Sequence, residues 1–319
     1  MSGLFFEYEN EDFPTAVLPN TQRRLNVTWD DILWAAITVG RPDVFHVFRH
    51  GAASVHEAIF RWSMVRMALQ QRGPRGQKLV RTDLFKQMDP TEKGAVNYFL
   101  GLLTCKLFAS KLLDAPWALH LDVFRPMLNP RMIGGRSRPD MVAQSSSTAQ
   151  WHAFECKGRA SVPGDAEKQK AKAQAQRVVS VNGTPCTLHV GAITFFRNAA
   201  VEFYWRDPEP DAREPIEIPN PDFAWRTYYE PFVQVIRSRG EATALEPGAP
   251  ALVQVEELDL RIGIHPAIAS ILFAADWQRA RAVARERGDE FAGSGFQPDG
   301  LRVRAGQSWF ERLEAPETG

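Results

Sequence analysis

The sequence predicts an α/β (α+β) fold, a mixed central sheet flanked by helices, with a helical region before it and a mixed region after it. Three observations carry this expectation. Apolar runs of strand length, alternating or continuous, cluster between residues 118 and 206. A Lys- and Gln-rich helical stretch interrupts them. The order across this span is helix, three strands, helix, two strands, which suits a layered fold.

Residues 1–88 read as mainly helical. Thr28-Trp29-Asp30-Asp31 starts one helix, and Ser54 to Gln71 gives another, with Ile59, Trp62, Val65, Met67 and Leu69 as its apolar stripe. Gly73-Pro74-Arg75-Gly76 ends it. Residues 89–206 read more sharply. Asp89 is placed as N-cap, Pro90 at the first helical position and Glu92 at the third, and the helix runs through Tyr98, Leu102 and Phe108 to about Leu113. From Ala118 to Phe124, Leu119, Leu121 and Val123 point one way and His120 and Asp122 the other. Arg138 to Val142 and Trp151 to Lys157 are two further strands, joined by the polar loop Gln144 to Gln150. Pro163-Gly164-Asp165 opens a helix to about Val179. Thr187 to Phe196 is a nearly continuous apolar run, as in a strand buried on both faces, and Val201 to Arg206 alternates. Residues 207–319 open with an acidic, proline-rich linker. They hold helices over Trp225–Ser238 and Ile268–Arg287, then a Gly-rich turn with a strand between Gly293 and Arg312. This acidic region is expected to act as a partner or regulatory module.

Composition sets outer limits. At 319 residues the chain suits one large domain or two modest ones, and 44% hydrophobic with 24% charged residues is ordinary for a soluble globular protein. No run of eighteen apolar residues exists, so a membrane span is not expected, and the acidic, aromatic stretch Met1 to Pro14 does not read as a secretory signal. Cys105, Cys156 and Cys186 lack paired zinc spacings and read as reduced thiols of a cytoplasmic protein. Formal net charge is zero, but it is unevenly spread. Arg125 to Arg177 holds ten basic and four acidic residues, a balance of +6, whereas Asp207 to Ser270 balances at −7. Local charge decides where a polyanion docks, so the middle segment is a candidate phosphate-facing surface.

The chemistry concentrates in Arg138-Pro139-Asp140-Met141-Val142 and Phe154-Glu155-Cys156-Lys157-Gly158. Side chains alternate along a strand, so Glu155 and Lys157 share one face and Cys156 takes the other. If the two strands pair, Asp140 comes beside that face. Two carboxylates and a backbone carbonyl, here that of Cys156, make an all-oxygen site suited to Mg²⁺ or Mn²⁺. Such an ion neutralises charge on a scissile phosphate and acidifies a bound water, and a neighbouring lysine orients that water or stabilises developing charge.

This arrangement resembles the PD-(D/E)XK nuclease superfamily, the fold of many restriction endonucleases and DNA-repair nucleases. Pro139-Asp140 matches the proline and aspartate of its motif, and Glu155-Cys156-Lys157 matches the acid-x-lysine element. The likeness covers roughly Asp89 to Arg206. It implies a restriction-endonuclease-like core, catalytic Asp140, Glu155 and Lys157, and metal held by Asp140, Glu155 and Cys156. It further implies an acid from the preceding helix, for which Glu92 is the candidate; Glu57 and Asp122 are weaker ones. Arg138, Arg159, Lys168, Gln169, Lys172 and Gln176 would hold DNA. One branch carries Gln-x-x-x-Tyr on the second helix, and no tyrosine follows Gln169 here.

Plainer readings compete. Glu155 and Lys157 could be an ion pair on a solvated edge, Asp140 turn chemistry, and Glu92 a capping-box residue. Lys168, Gln169, Lys172 and Gln176 could be a solvated basic face. His50, His56 and Glu57 lack the H-E-x-x-H spacing of a zinc site. Gly134-Gly135 reads as a hairpin turn, His152 as a polar-face residue, and the nine tryptophans as core. The function expected is a Mg²⁺-dependent deoxyribonuclease, with Mn²⁺ able to substitute, and more narrowly an endonuclease of restriction or anti-phage defence type. A nuclease-like subunit that binds DNA or a partner, and an RNA-directed nuclease, are the alternatives. With no ATP-binding motif or recognised DNA-reading module, specificity or motor activity would fall to the flanks or to a partner protein. Double-strand cutters of this fold often dimerise, so a homodimer is an expectation.

Overall fold

The computed structural model describes residues 3–19, 22–39, 52–72, 77–121, 139–207, 214–216, 221–239, 250–311 and 313. In chain order these form β1 (Leu4–Glu11), β2 (Gln22–Val27), α1 (Trp29–Thr38), α2 (Ala52–Ala68), β3 (Leu69–Gln71), β4 (Leu79–Arg81) and α3 (Asp83–Gln87). Next come α4 (Pro90–Leu112), β5 (Trp117–His120), β6 (Met141–Gln144), β7 (Trp151–Gly158), α5 (Asp165–Ala175), β8 (Val178–Val181), β9 (Thr184–Arg197) and β10 (Ala200–Arg206). The last third adds β11 (Glu214–Ile216), α6 (Pro221–Arg239), β12 (Ala251–Val255), β13 (Leu260–Ile264), α7 (Pro266–Phe273), α8 (Trp277–Gly293) and β14 (Leu301–Ala305).

The main sheet is mixed, as expected for this α/β chain. Its path runs β2-β1-β10-β9-β7-β6-β5, with β3, β4, β8 and β11 attached beside it. β5, β6 and β7 form an antiparallel meander, and β9 lies parallel to β7. That parallel pair needs a crossover, which α5 supplies. β9 is buried through its middle, in keeping with its continuous apolar run. Asp89 caps α4 by accepting from the Thr91 and Glu92 amides at 2.7 and 3.3 Å, and Pro90 occupies the first turn.

Several expectations are corrected. The N-terminal region holds helices but is not confined to them: β1 lies parallel to β10, with Glu7 opposite Glu202, so the sheet does not begin at residue 89. The run Leu4-Phe5-Phe6-Glu7-Tyr8 is β-prone and buried on both sides by the fold. The second N-terminal helix stops at Ala68, and Leu69–Gln71 form a strand instead. Likewise α5 ends at Ala175, because Val178-Val179-Ser180-Val181 prefer the extended backbone of β8. The helix expected over Ile268–Arg287 is two helices, broken at Ala274–Asp276 with Ala275 at φ 61°.

The described C-terminal residues share the sheet's core, for their apolar side chains join one cluster that extends from Leu4 to Trp309. A polar network also locks them in place. The fully buried Asp299 accepts from Trp34 Nε1 at 2.8 Å, Tyr228 Oη at 2.6 Å and the Leu301 amide at 2.9 Å. Lys106 of α4, equally buried, donates to Tyr228 Oη at 2.8 Å and to the Pro116 carbonyl. Its ammonium also lies 4.2 Å from the Trp34 ring.

Candidate active site

The register of β6 against β7 sets Met141 opposite Phe154, which places Asp140 opposite Glu155. β6 begins only at Met141, and Pro139 has no N–H to extend the ladder. The Asp140 carboxylate fills that gap: its Oδ2 accepts from the Cys156 amide at 2.8 Å. Groups of one residue share a strand edge, so the Cys156 carbonyl lies on the same side as Asp140. Glu155 is 1% exposed. Its Oε1 is bonded by the Lys157 ammonium, and its buried Oε2 has no hydrogen-bond partner. Burial first, and then the Asp140 charge, push the Glu155 carboxyl up to about 8, against the opposing pull of Lys157. A buried, orphaned carboxylate oxygen next to a second carboxylate is a strong acceptor for a cation. The oxygens of Asp140, Glu155 and the Cys156 carbonyl fit a hard divalent ion on that ground. Among the described residues no group of three or more His, Cys, Asp or Glu side chains gathers as a metal cluster.

The opposite face of β7 is sealed by α4. Cys156 is buried there beside Cys105, and all three cysteines are free. A Cβ on Gly158 would stand 1.7 Å from the Asn97 carbonyl oxygen, and one on Gly101 would stand 2.7 Å from the Lys157 carbonyl carbon. Helix and strand backbones therefore touch where the Lys157 side chain emerges. Gly158→Ala is expected to cost more than about 2 kcal/mol in urea unfolding, because the obstacle is backbone. Gly3→Ala, in open space and outside any helix, is the neutral control.

Tyr98 of α4 sits on this covered face, near enough to the carboxylate pair to feel its charge. The Tyr98 hydroxyl lies 2.9 Å from Nε2 of the buried His120, whose residue is in register with Met141. Burial, with the charges of Asp140 and Glu155, holds the Tyr98 phenol well above its usual range. Arg61 of α2 is the neighbouring cation. It donates to the Val39 carbonyl at 2.6 Å and pairs with Glu57 at 3.1 Å.

Glu92 is not brought to this group. It is exposed on the first turn of α4, six residues before Tyr98. At about 100° per residue it stands about 120° around the helix from Tyr98. Its own side chain forms no capping box; Asp89 caps the turn. Arg138 and Asp122 lie outside the described residues.

The basic helix is turned differently from expectation. α5 rests on β9 so closely that a Cβ on Gly191, the register partner of Glu155, would come within 2.8 Å of the Lys172 amide nitrogen. The Lys168 ammonium sits 4.0 Å from the Tyr204 ring of β10, on one flank, while Glu167 pairs with Arg159 at 2.8 Å beyond the end of β7, on the other. Helical rotation puts Lys172, Gln169 and Gln176 on the Lys168 flank, away from β7. Gln174, seven residues after Glu167, falls on the flank facing β7, and its Oε1 is buried without a partner. Sequence reasoning missed Gln174, Tyr98 and Arg61. His120 alone had a signal, as a polar residue on the strand face opposite Leu119.

His152 is not a solvated residue: it is 6% exposed and bonded through Nδ1 to Thr187 Oγ1 at 2.9 Å. Burial pushes its imidazole down to about 4 from the ordinary 6.5. The unfolded chain then binds the extra proton, so this group's contribution is present above pH 6.5 and is lost as pH falls towards 4. The stability difference between the native protein and His152→Gln should therefore shrink over that window by up to about 3 kcal/mol in urea titrations. A constant difference would contradict a neutral buried imidazole.

No protein-family model, no curated protein and no solved structure matches this chain. The functional reading rests on the geometry.

Proposed function

We propose that the chain is a divalent-metal-dependent nuclease of the PD-(D/E)XK type, acting on DNA. The observation that carries this reading is the buried Glu155 with one partnerless oxygen, facing Asp140 and contacted by Lys157. The succession of α4, β5, β6, β7, α5 and, after the short β8, β9 agrees with the helix, three strands, helix and strand of a restriction-endonuclease-like core. Any plain surface ion pair is disfavoured by the 1% exposure of Glu155.

In this reading Asp140, Glu155 and the Cys156 carbonyl hold Mg²⁺, or Mn²⁺ in its place. The ion would supply charge neutralisation at the scissile phosphate and an acidified water. The protein's own part is positional. Asp140 is fixed by the Cys156 amide, so its second oxygen has a defined direction. Lys157 is 27% exposed at its side chain and so reaches both Glu155 and an incoming phosphate. There its ammonium orients the attacking water or stabilises charge developing on the phosphoryl oxygens. Arg159, held by Glu167, extends the positive rim for the backbone.

The test is incubation with supercoiled plasmid in Mg²⁺, Mn²⁺ or EDTA, beside Lys157→Ala. Nicking or linearisation in either metal, none in EDTA, and a loss of about 10²- to 10³-fold in the variant are expected. Unchanged cleavage in the variant would remove the site. Binding without cleavage on plasmid, linear and single-stranded DNA would leave a nucleic-acid-binding module, and preference for RNA duplexes would change the substrate.

A further inference from the structure

The second sheet gathers basic side chains within a C-terminal region that is acidic on average. β12, β13 and β14 pair antiparallel in that order, and Leu260, Ile262, Ile264, Leu301 and Val303 are buried on its inner face. Alternation turns Arg261, Arg302 and Arg304 to the outer face, with Leu252 and Gln254. Together with Asp259 and Gly306 these residues line an open trough of about 430 Å³. Arg261 and Arg304 are direct cross-strand partners, and Arg302 stands opposite Gly263. Like charges directly opposed across a ladder destabilise a sheet. Arg304 ties β14 to Asp30 of α1, whereas among the described residues no carboxylate pairs with Arg261 or Arg302.

The acids near them are already engaged, one of them by Arg304 itself. Asp30 takes Arg304 Nη1 at 2.9 Å and the Ala305 amide at 2.8 Å. Asp259 takes the Ser308 amide at 3.0 Å. The Arg302 guanidinium lies over Phe296, 4.4 Å from its ring centroid, and Arg261 donates through Nε to Gln254 at 3.2 Å. These supports hold the guanidinium groups in place before any ligand arrives, which lowers the entropy lost on binding. A second cleft of about 390 Å³ shares Arg302 and Arg304 as its wall, but Asp30 and Asp31 also line it and pair with Arg304 and Lys111 at 2.9 and 2.7 Å, so the uncompensated charge lies in the first trough. Arg261 and Arg302, on neighbouring strands of an open trough, suit successive phosphates of a strand better than one isolated anion.

We infer that this arginine trough binds the phosphodiester backbone of a nucleic acid, as a docking surface separate from the carboxylate site. The choice of nucleic acid as the polyanion rests on the nuclease reading. The separation is structural. Lys111 is thirteen residues along α4 from Tyr98, about 20 Å of helix. A bound strand engaged at both places would span several nucleotides, so the trough would help to hold a polymer, not a mononucleotide.

The experiment is fluorescence anisotropy of a labelled DNA duplex in EDTA across a salt series, with the full chain. An Arg261→Gln and Arg302→Gln double variant is expected to bind at least about tenfold more weakly and to flatten the log–log salt slope by nearly 2. Gln254→Glu, an exposed change that pairs Arg261 internally, should flatten it by about 1. That variant keeps the test meaningful if the double variant misfolds. Slopes unchanged in a folded variant, no binding by the native protein, or full displacement by a mononucleotide at equal phosphate concentration would each overturn the inference. Plasmid cleavage in Mg²⁺ is scored alongside. Cleavage with unchanged slopes removes the trough and keeps the nuclease reading, whereas flattened slopes without cleavage do the reverse.

Discussion

Replacing Glu155 with Gln raises the stability of the metal-free protein while lowering metal-dependent cleavage by about 10³-fold. The first half follows from the site's electrostatics alone. The Glu155 carboxyl is pushed up to about 8 by burial and by Asp140, from an ordinary 4.5. Between these values the folded protein holds a proton that the unfolded chain has released, so native stability falls as pH rises through the window. The difference between the two pKa values bounds the effect at about 5 kcal/mol. The amide of the Glu155→Gln variant cannot ionise, so in EDTA the variant's advantage should grow from pH 5 to pH 8 in urea unfolding. Parallel profiles for the two proteins would show that Glu155 is not buried against Asp140. The second half depends on the nuclease reading, because an amide is a poor ligand for a hard divalent ion. A stabilised variant that still cleaves would separate the two claims and refute only the second.

Replacing Asp299 with Asn costs about 3–5 kcal/mol, the largest stability loss expected from a single isosteric change in this chain. Asp299 and Lys106 are both fully buried and are bridged by the Tyr228 hydroxyl. Burial pulls the Lys106 amine down to about 7, and the Asp299 charge resists that shift. Removing the aspartate charge leaves the ammonium without a counter-charge in an apolar setting. The change also turns one acceptor oxygen towards donors as an NH₂ group, against Trp34 Nε1 and Tyr228 Oη or against the Leu301 amide. Lys106→Met added to Asp299→Asn should recover a large part of the loss, since no uncompensated charge remains. Urea midpoints of the two single variants and the double variant form the cycle. A loss below about 1 kcal/mol for Asp299→Asn would mean the network is not a charged one. The network joins α1, α4 and α6 to the segment before β14, so the same cycle measures how tightly the C-terminal third is bound to the sheet.

Much of the middle of the chain was legible from local pattern. Asp89 and Pro90 mark the start of α4 because capping chemistry depends only on neighbouring residues. Leu119 and His120, and Glu155 with Cys156, take opposite faces because strand alternation has a period of two. The pairing of Asp140 with Glu155 also needed only the register of a short antiparallel meander. What failed depended on distant partners. Leu4 to Glu11 carries no local sign that it lies beside β10, nearly 200 residues away. The parallel partner was needed to make that strand.

The same division runs through the candidate site. Asp140, Glu155 and Lys157 could be named from the residues, since one strand's alternation and its neighbour's first residue suffice. Tyr98 could not, because it is set near them by the contact of Gly158 with Asn97, a backbone approach between non-adjacent elements. Nor could the orientation of α5. Its polar periodicity is equally compatible with Lys172 or Gln174 facing the carboxylates, and only the seating of Ala171 and Lys172 over Gly191, with Lys168 against Tyr204, sets the rotation. The arginine trough is the same case on a larger scale: Arg261, Arg302 and Arg304 are scattered along forty-odd residues and become one surface when three strands pair. Periodicity records which way a side chain points relative to its own element. Which neighbour it then meets is decided by packing between elements, because those contacts are long-range and carry no signature in any one segment.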